Sequence, residues 1–283
     1  MSVLVFGGAG FVGSHVVRKL MDEGEDVVAL DVMMPDPPMP PLRDVMDKLK
    51  FEYCHGEYAP EVSKMITKHR ADRVINLVTS YSPDFEANPQ RGVRINLDTQ
   101  INILEAARHC GLKRVVVASS SYVYGAGRPE VVDEESLLKP DTLYGACKAM
   151  NEYLGQHYHK HFGVDYIALR LCLILGWGRG QRKVVANRGG WIVDLFERPL
   201  AGLPVKLPFA GAKNHIVYVK DLVTIILLAL KAPKLQHRVF DVVTERAWQN
   251  MRLTREFGYQ QKYSFVEAIG DYITMARANK FKW

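Results

Sequence analysis

The sequence predicts a doubly wound α/β fold, a parallel sheet covered by helices on both faces, followed by a small C-terminal substrate lobe. Three observations predict it. Short β-branched runs alternate with amphipathic helical stretches up to about residue 175, the pattern of successive strand–helix crossovers. The strand runs are apolar throughout rather than alternating, as strands buried on both faces are. Four glycines also stand between the first apolar run and the first helical stretch, in VLVFGGAGFVGSHVV at 3–17.

Taken in order, strands are expected at 2–7 (SVLVFG), 26–31 (DVVALD), 50–54 (KFEYC), 73–78 (RVINLV), 114–119 (RVVVAS) and 164–170 (VDYIALR). Helices are expected at 12–23, 60–70, 91–110, 144–162 and 219–231. The last contains LVTIILLAL (222–230), shorter than the roughly 20 apolar residues that cross a bilayer, and reads as a buried helix. Between the second and third strands, PDPPMPP (35–41) carries five prolines and is excluded from helix and central strand. It is a stiff loop, read as a connector, with a lid or a proline-rich ligand as alternatives. Past 175 the alternation loosens. Strands at 204–207, 215–219 and 237–243 and a helix at 263–277 are assigned to the lobe. The division expected is a nucleotide-binding domain over 1–175 and a mixed substrate-binding lobe over 176–283, interleaved with it.

Composition narrows the function classes. The 283 residues carry a net charge of +6, spread along the chain, with a sequence pI near 9.0. No basic tract with interleaved aromatics is present, so a nucleic-acid partner is not expected. No membrane span is expected either, and the strand pattern begins directly after Met1 and Ser2, which predicts a cytoplasmic protein without a signal peptide. Cys54, Cys110, Cys147 and Cys172 form no C-x-x-C pair and read as reduced thiols without a zinc site. In HYHKH (157–161), His157 and His161 share a helix face. No third ligand accompanies them, and no metal is expected.

The glycines point to a dinucleotide. Gly7, Gly10 and Gly13 follow the first strand and open the first helix, and Gly8, Gly10 and Gly13 satisfy G-x-G-x-x-G. Such glycines permit a tight turn, close approach of a pyrophosphate and close helix–strand packing. The helix start at Phe11 and Val12 adds N–H groups and dipole for the phosphates. The second strand ends in Asp31, 18 residues beyond Gly13, where a Rossmann fold places the acid that accepts the ribose hydroxyls and repels a 2′-phosphate. NAD is therefore the expected cofactor.

A second set points to chemistry. ASSSYVYG (118–125) ends the fifth strand, and YGACK (144–148) opens a helix. Tyr144 and Lys148, at i and i+4, share one helix face. A nearby ammonium is expected to lower the tyrosine pKa, fitting it to exchange a carbinol proton while a hydride moves to or from nicotinamide. A serine hydroxyl at the strand end can hold the same oxygen.

These segments, with VRINLDTQINILEAA, PDTLYGACKAMNEYL, IALRLCLILGWG and HIVYVKDLV, resemble the extended short-chain dehydrogenase/reductases, the NAD-dependent epimerase/dehydratase group, over nearly the whole chain. The resemblance implies Ser120, four residues before the tyrosine of V-Y-G, as the catalytic serine. Tyr144 becomes the general acid/base, and Lys148 its partner and a holder of the nicotinamide ribose. It implies Leu77, Val78, Asn96, Glu57 and Tyr58 along the dinucleotide. Substrate contacts are expected from Tyr81, Ser121, Tyr122 and Trp177, the last either lining a pocket or packing where the lobes meet. Family members commonly dimerise through helices corresponding to 91–110 and 144–162, so a homodimer is expected.

Departures from the pattern narrow the substrate. Ser121 and Tyr122 stand where dehydratases carry an acid. Leu173 replaces a usual asparagine, Asn214 a usual arginine, and the segment after Val243 is shortened. Arginine clamps diphosphates bidentately and asparagine does not. Lys213, Arg246 and Arg179 are the cations available to substitute. The function expected is hydride transfer at a secondary alcohol or ketone of a small, carbohydrate-like substrate. UDP, dTDP and GDP are expected to bind more weakly than about 1 mM. A nucleotide-sugar 4-epimerase is the alternative within the class, and a non-catalytic NAD-sensing regulator the alternative outside it.

Overall fold

The computed structural model describes residues 1–81, 84–127, 132–179, 190–200, 202–205, 215–233, 235–242 and 251–278. Nine strands are assigned among them: β1 (Ser2–Phe6), β2 (Val27–Asp31), β3 (Phe51–Tyr53), β4 (Ala71–Asn76), β5 (Arg114–Ser120), β6 (Tyr166–Leu171), β7 (Leu173–Leu175), β8 (Ile216–Tyr218) and β9 (Val239–Val242). The helices are α1 (Phe11–Asp22), α2 (Ala59–Lys68), α3 (Asp84–Ala87), α4 (Pro89–Val93), α5 (Thr99–Cys110), α6 (Leu143–Phe162), α7 (Gly190–Leu200), α8 (Val219–Lys231), α9 (Met251–Phe257) and α10 (Phe265–Ala278).

The main sheet is parallel, in the order β3-β2-β1-β4-β5-β6-β9. Strand β1 shows why its run is apolar without alternation. Val3 and Val5 pack with Val16, Val17 and Leu20 of α1 and with Leu222, Ile225 and Ile226 of α8. Leu4 and Phe6 pack on the other face with Val62 and Ile66 of α2 and Ile103 and Leu104 of α5. Every residue of β1 is buried. The strand order reverses between β1 and β4, and the carboxyl ends of β1, β2, β4 and β5 share one edge of the sheet, where open α/β sheets bind ligands.

The expected main strands all form, and three differences from the expectations stand out. The 237–243 run does not belong to the lobe: as β9 it pairs in parallel with β6 and closes the main sheet, because its four residues are all buried and need cover on both faces. Leu203, Pro204 and Val205 form no strand: Arg198 donates its Nε–H to the Pro204 carbonyl, Pro204 has no N–H for a ladder, and Leu203 is 45% exposed. Residues 206–207 of that run lie outside the described residues, as do Lys213, Asn214, Val243 and Arg246. The single helix expected over 91–110 is α4 and α5 joined by a widened π turn at Arg94–Asp98. The proline-rich loop is held against the body of the fold. Met39 and Leu42 are buried, Arg18 of α1 donates to the Pro41 carbonyl at 3.2 Å, and Arg43 donates to the Pro38 carbonyl at 2.9 Å.

Strands β7 and β8 form a separate parallel pair. Leu175, Trp177, Tyr218 and Val219 pack there against Ala268, Tyr272 and Ala276 of α10.

Candidate active site

The glycine turn closes onto the switch point. Gly7 has φ +78°, and a Cβ there would meet the Leu77 and Val78 backbone at 3.1–3.3 Å. A Cβ on Gly13 would fall 2.0 Å from the Gly7 carbonyl oxygen, so α1 reaches the strand end only with glycine at that position. Helix α1 starts with no side-chain cap and no acidic residue in its first turn. The first-turn N–H groups, including those of Phe11, Val12 and Gly13, have no intrahelical acceptor by helix geometry. Together with the dipole they form a cradle for an anion. Asp31 ends β2, buried, and its Oδ1 accepts the Val32 N–H at 2.9 Å. Its carbonyl accepts the Cys54 N–H at 3.0 Å, which brings the chain leading to Glu57 and Tyr58 alongside. Tyr58 is 48% exposed at the start of α2. These residues fit a dinucleotide stretched across the sheet edge.

The second half of the site joins β4, β5 and α6. Thr142 caps α6, its Oγ1 accepting the Gly145 N–H at 3.0 Å, which sets Tyr144 in the first turn. The buried phenol of Tyr144 has the hydroxyl side chains of Ser120, at the end of β5, and Thr79, beyond the end of β4, as neighbours that pull its pKa down. Lys148, buried one turn further along α6, donates to the Ala118 carbonyl at 2.8 Å, and its Nζ stands 5.7 Å from the Tyr144 ring centroid. Tyr81 and Tyr122 complete an aromatic cluster, with ring centroids 5.1 Å and 5.7 Å from that of Tyr144. Their own hydroxyls are 3.1 Å apart.

The electrostatics differ from the sequence expectation in one respect. Burial pushes the Tyr144 phenol up, against the pull of Ser120 and Thr79. Burial lowers Lys148 to about 8, against Cys147 and Glu152, which raise it. Desolvation thus outweighs the two hydroxyls, and the Lys148 ammonium, which donates to the Ala118 carbonyl, is not among the groups that lower the phenol.

One more assignment changes. Asn96, expected along the dinucleotide, is buried on the π turn, and its amide is fully used: Nδ2 donates to the Ser80 and Gly92 carbonyls at 3.0 and 2.9 Å, and Oδ1 accepts from Thr79 at 3.1 Å. Both amide protons are spent, so the side chain supports the loop carrying Thr79 and Tyr81. Trp177, weighed between lining a pocket and packing, packs its ring in the lobe core, edge-on to Tyr272 at 5.7 Å. Its carbonyl faces His15 Nε2 at 3.2 Å. Ser121 opens the short turn that carries Tyr122 and is partly exposed. The His157 and His161 rings lie tilted with centroids 4.4 Å apart, and among the described residues no three metal-ligating side chains converge.

Sequence reasoning missed Thr79. Its signal is position alone: it follows β4 on the same sheet edge as Ser120. It also missed the layer behind β5, where Arg170 binds Glu152 through Nε and Nη2 at 2.9 and 2.8 Å and donates to the Tyr124 hydroxyl at 2.6 Å. The Tyr124 hydroxyl lies 2.8 Å from Asp241 of β9, and Ser119 donates to Glu152.

Residues 3–242 match the NAD dependent epimerase/dehydratase family. The chain is 33% identical to UDP-glucose 4-epimerase of Lactobacillus helveticus over 178 residues, 62% of this chain and 52% of the relative. It is 30% identical to D-erythronate dehydrogenase of Cupriavidus necator over 223 residues, 74% of this chain and 65% of the relative. Its structure superposes on UDP-glucose 4-epimerase of Thermus thermophilus in complex with NAD, with a TM-score of 0.83 at 25% identity, covering 98% of this chain and 99% of that one. The matched segments thus span between half and two thirds of the two curated relatives. The glycine turn, the Asp31 strand end and the tyrosine–lysine helix stand on the fold that these comparisons share, and the chain belongs to the NAD-dependent epimerase/dehydratase family, with NAD as its cofactor.

Proposed function

We propose that the protein is an NAD-dependent oxidoreductase acting at a secondary alcohol or ketone of a small, carbohydrate-like hydroxy compound. The observation that carries this reading is the convergence of Ser120, Thr79 and Lys148 on Tyr144, beside a glycine cradle that fits a dinucleotide. NAD supplies the hydride acceptor at the carbinol carbon. Tyr144 exchanges the carbinol proton at its phenol oxygen, Ser120 holds the substrate oxygen, and Lys148 holds positive charge behind the pair. The relative named for D-erythronate, a name that contains no nucleotide, supports a small substrate. So do Leu173 and Asn214, where nucleotide-sugar enzymes carry asparagine and arginine.

We further propose a substrate lobe built around β7, β8 and α10, a cytoplasmic location, and a homodimer. The dimer is supported by Met150, Tyr153 and Phe162 exposed on α6.

The test is NAD reduction by a panel of three- to six-carbon polyols, hydroxy acids and amines bearing a secondary alcohol, with saturation-transfer NMR of UDP, dTDP and GDP alongside. Turnover of a small hydroxy compound without nucleotide binding is expected. Micromolar binding of any of the nucleotides, competed by its sugar conjugate, overturns the reading in favour of a nucleotide-sugar 4-epimerase.

A further inference from the structure

Tyr144, Lys148 and Glu152 stand at i, i+4 and i+8 of α6 and share one helix face. That face meets the end of β5, where Ala118, Ser119 and Ser120 follow one another. Lys148 Nζ donates to the Ala118 carbonyl at 2.8 Å. One turn further along α6, Glu152 Oε1 accepts the Ser119 hydroxyl at 2.5 Å. Ser119 stands opposite Arg170 in the β5–β6 register. Arg170 Nε donates to the same Oε1 at 2.9 Å, and its Nη2 donates to Oε2 at 2.8 Å. One carboxylate thus gathers the residue before Ser120 and its cross-strand partner onto the helix that carries Tyr144 and Lys148. All three side chains are withdrawn from water, with Glu152 1%, Ser119 3% and Arg170 4% exposed.

A buried carboxylate needs a counter-charge and hydrogen-bond donors. Arg170 supplies the charge and two donors by itself. The Ser119 hydroxyl adds a tie from the helix to the strand end, one residue from Ser120 and one from the carbonyl that holds Lys148. The charge of Glu152 also reaches along its own helix. Burial lowers Lys148, and Cys147 and Glu152 raise it. Cys147 acts in this way only as a thiolate, and burial pushes its thiol above its ordinary value, so at neutral pH the supporting charge is that of Glu152. Facing Glu152 from β6 are Arg170 and the neutral phenol of Tyr166. Beyond Arg170 lie the Tyr124 hydroxyl, at 2.6 Å from Nη1, and Asp241 of β9.

Resting on the oxidoreductase reading, we propose that Glu152 is a positioning residue for the reaction: its carboxylate ties Ser119 and Arg170 to α6, and so holds the end of β5, where Ser120 stands, in register with Tyr144 and Lys148. It acts through those residues and touches neither substrate nor cofactor. Its second effect is to keep Lys148 an ammonium at neutral pH, as a holder of the nicotinamide ribose needs to be.

The test uses the full-length protein as wild type, Glu152→Gln, Glu152→Asp and Ser119→Ala. Calorimetry measures NAD binding at steps between about pH 6 and 10, a range that spans the lysine. Turnover is followed with the hydroxy compound that the panel above identifies. Wild type is expected to lose NAD affinity with a midpoint at about 8, as Lys148 gives up its proton. Glu152→Gln removes the charge and moves that midpoint down by about one pH unit. Glu152→Asp keeps the charge and restores the wild-type midpoint. Ser119→Ala keeps the ion pair and the midpoint but loses about 10-fold in kcat, the cost of a slightly misplaced strand end, with KM unchanged. A purely structural carboxylate moves neither the midpoint nor the kcat of Ser119→Ala. Wild-type turnover by Ser119→Ala, or a wild-type NAD profile in folded Glu152→Gln, overturns the proposal. Where Glu152→Gln does not fold, the turnover of Ser119→Ala decides. A displaced NAD profile in a protein that oxidises no hydroxy compound upholds the placing of Lys148 by Glu152 and overturns the oxidoreductase reading, so the two fail separately.

Discussion

Arg170 and Arg179 leave the same stretch of chain and meet opposite surroundings. Arg170, on β6, is buried behind the catalytic strand with both carboxylate oxygens of Glu152 on its fork and the Tyr124 hydroxyl on its third edge. Burial alone would lower its pKa, yet Glu152, Tyr124 and Asp241 together hold it above its ordinary value. Arg179 is lowered, because desolvation acts on it with only the Tyr81 and Tyr122 phenols in opposition. Among the described residues the first charge is matched by Glu152, and the second has no carboxylate within ion-pair distance. The Glu152–Arg170 pair is therefore expected to carry stability, and Tyr144 with Ser120 and Lys148 to carry the proposed chemistry.

The largest effect expected on the functional face is at Tyr144. Tyr144→Phe removes the phenol oxygen alone and leaves the ring packing with Phe85 and Cys147 intact. Turnover should fall roughly 10²- to 10⁴-fold, the range of a general acid/base, with NAD affinity unchanged by calorimetry. Normal turnover of the true substrate by this variant would remove Tyr144 from the chemistry.

Behind the strand the sign of the experiment changes. Arg170→Met strands the Glu152 carboxylate, 1% exposed, without its cation. Breaking a buried pair in this way costs about 3–5 kcal/mol, read as a loss in urea unfolding free energy. Arg179→Met strands no carboxylate among the described residues and should unfold within about 0.5 kcal/mol of wild type. Equal losses in the two variants would erase the distinction between the layers.

How far this distinction was legible in the sequence depends on distance along the chain. The glycine turn, Asp31, and the Tyr144–Lys148 pair are local: their spacing within one turn or one helix face states the geometry directly. The doubly wound sheet was legible too, because double-sided burial writes an unbroken apolar run in each strand. Glu152–Arg170 and Tyr124–Asp241 join residues on different elements, and no spacing announces them. The assignment of 237–243 to the lobe failed for the same reason, since a four-residue edge strand does not declare which sheet it joins. Asn96 and Trp177 show a further limit. Residue type suggested contact with a ligand, but side-chain direction sent one into a loop carbonyl network and the other into the lobe core.

A third test sits where α1 meets the lobe. His15 faces the Trp177 carbonyl at 3.2 Å, with the Lys220–Asp271 pair nearby. Burial chiefly lowers it to about 4, against the Trp177 carbonyl and Asp271, which raise it, and with Lys220, which lowers it further. The folded chain therefore binds fewer protons at this site than the unfolded chain between about pH 6.5 and 4, and stability falls as pH drops through that window. Asp241, raised to about 7 mainly by burial, acts in the opposite direction between about pH 7 and 4. The two are separated by difference: His15→Leu should gain about 2 kcal/mol over wild type on going from pH 7 to pH 4 in urea unfolding. Parallel pH profiles for the two proteins would show that His15 titrates as it does in water.

The smallest effect expected concerns the far end of the cofactor. Asp31 closes β2 in a buried position, fixed by the Val32 N–H on Oδ1 and held next to β3 through the Cys54 N–H on its carbonyl. A carboxylate so fixed would accept the two ribose hydroxyls of NAD and has nothing to donate to a phosphate. NADP brings a 2′-phosphate with a charge between about −1.5 and −2 at pH 7, placed against a like charge with little water between them. The repulsion needs only about 1.4 kcal/mol to separate the affinities tenfold. Calorimetric titration should therefore show NAD binding at least tenfold more tightly than NADP. Asp31→Asn should narrow the ratio, because the amide keeps an acceptor for a ribose hydroxyl, adds an N–H donor and removes the charge. This variant also bears on the contrast between the two arginines. Asp31 is a buried charge on the functional face, so its removal should change the choice of ligand more than the free energy of unfolding, and a large loss of stability with an unchanged NAD-to-NADP ratio would move it into the structural layer beside Arg170.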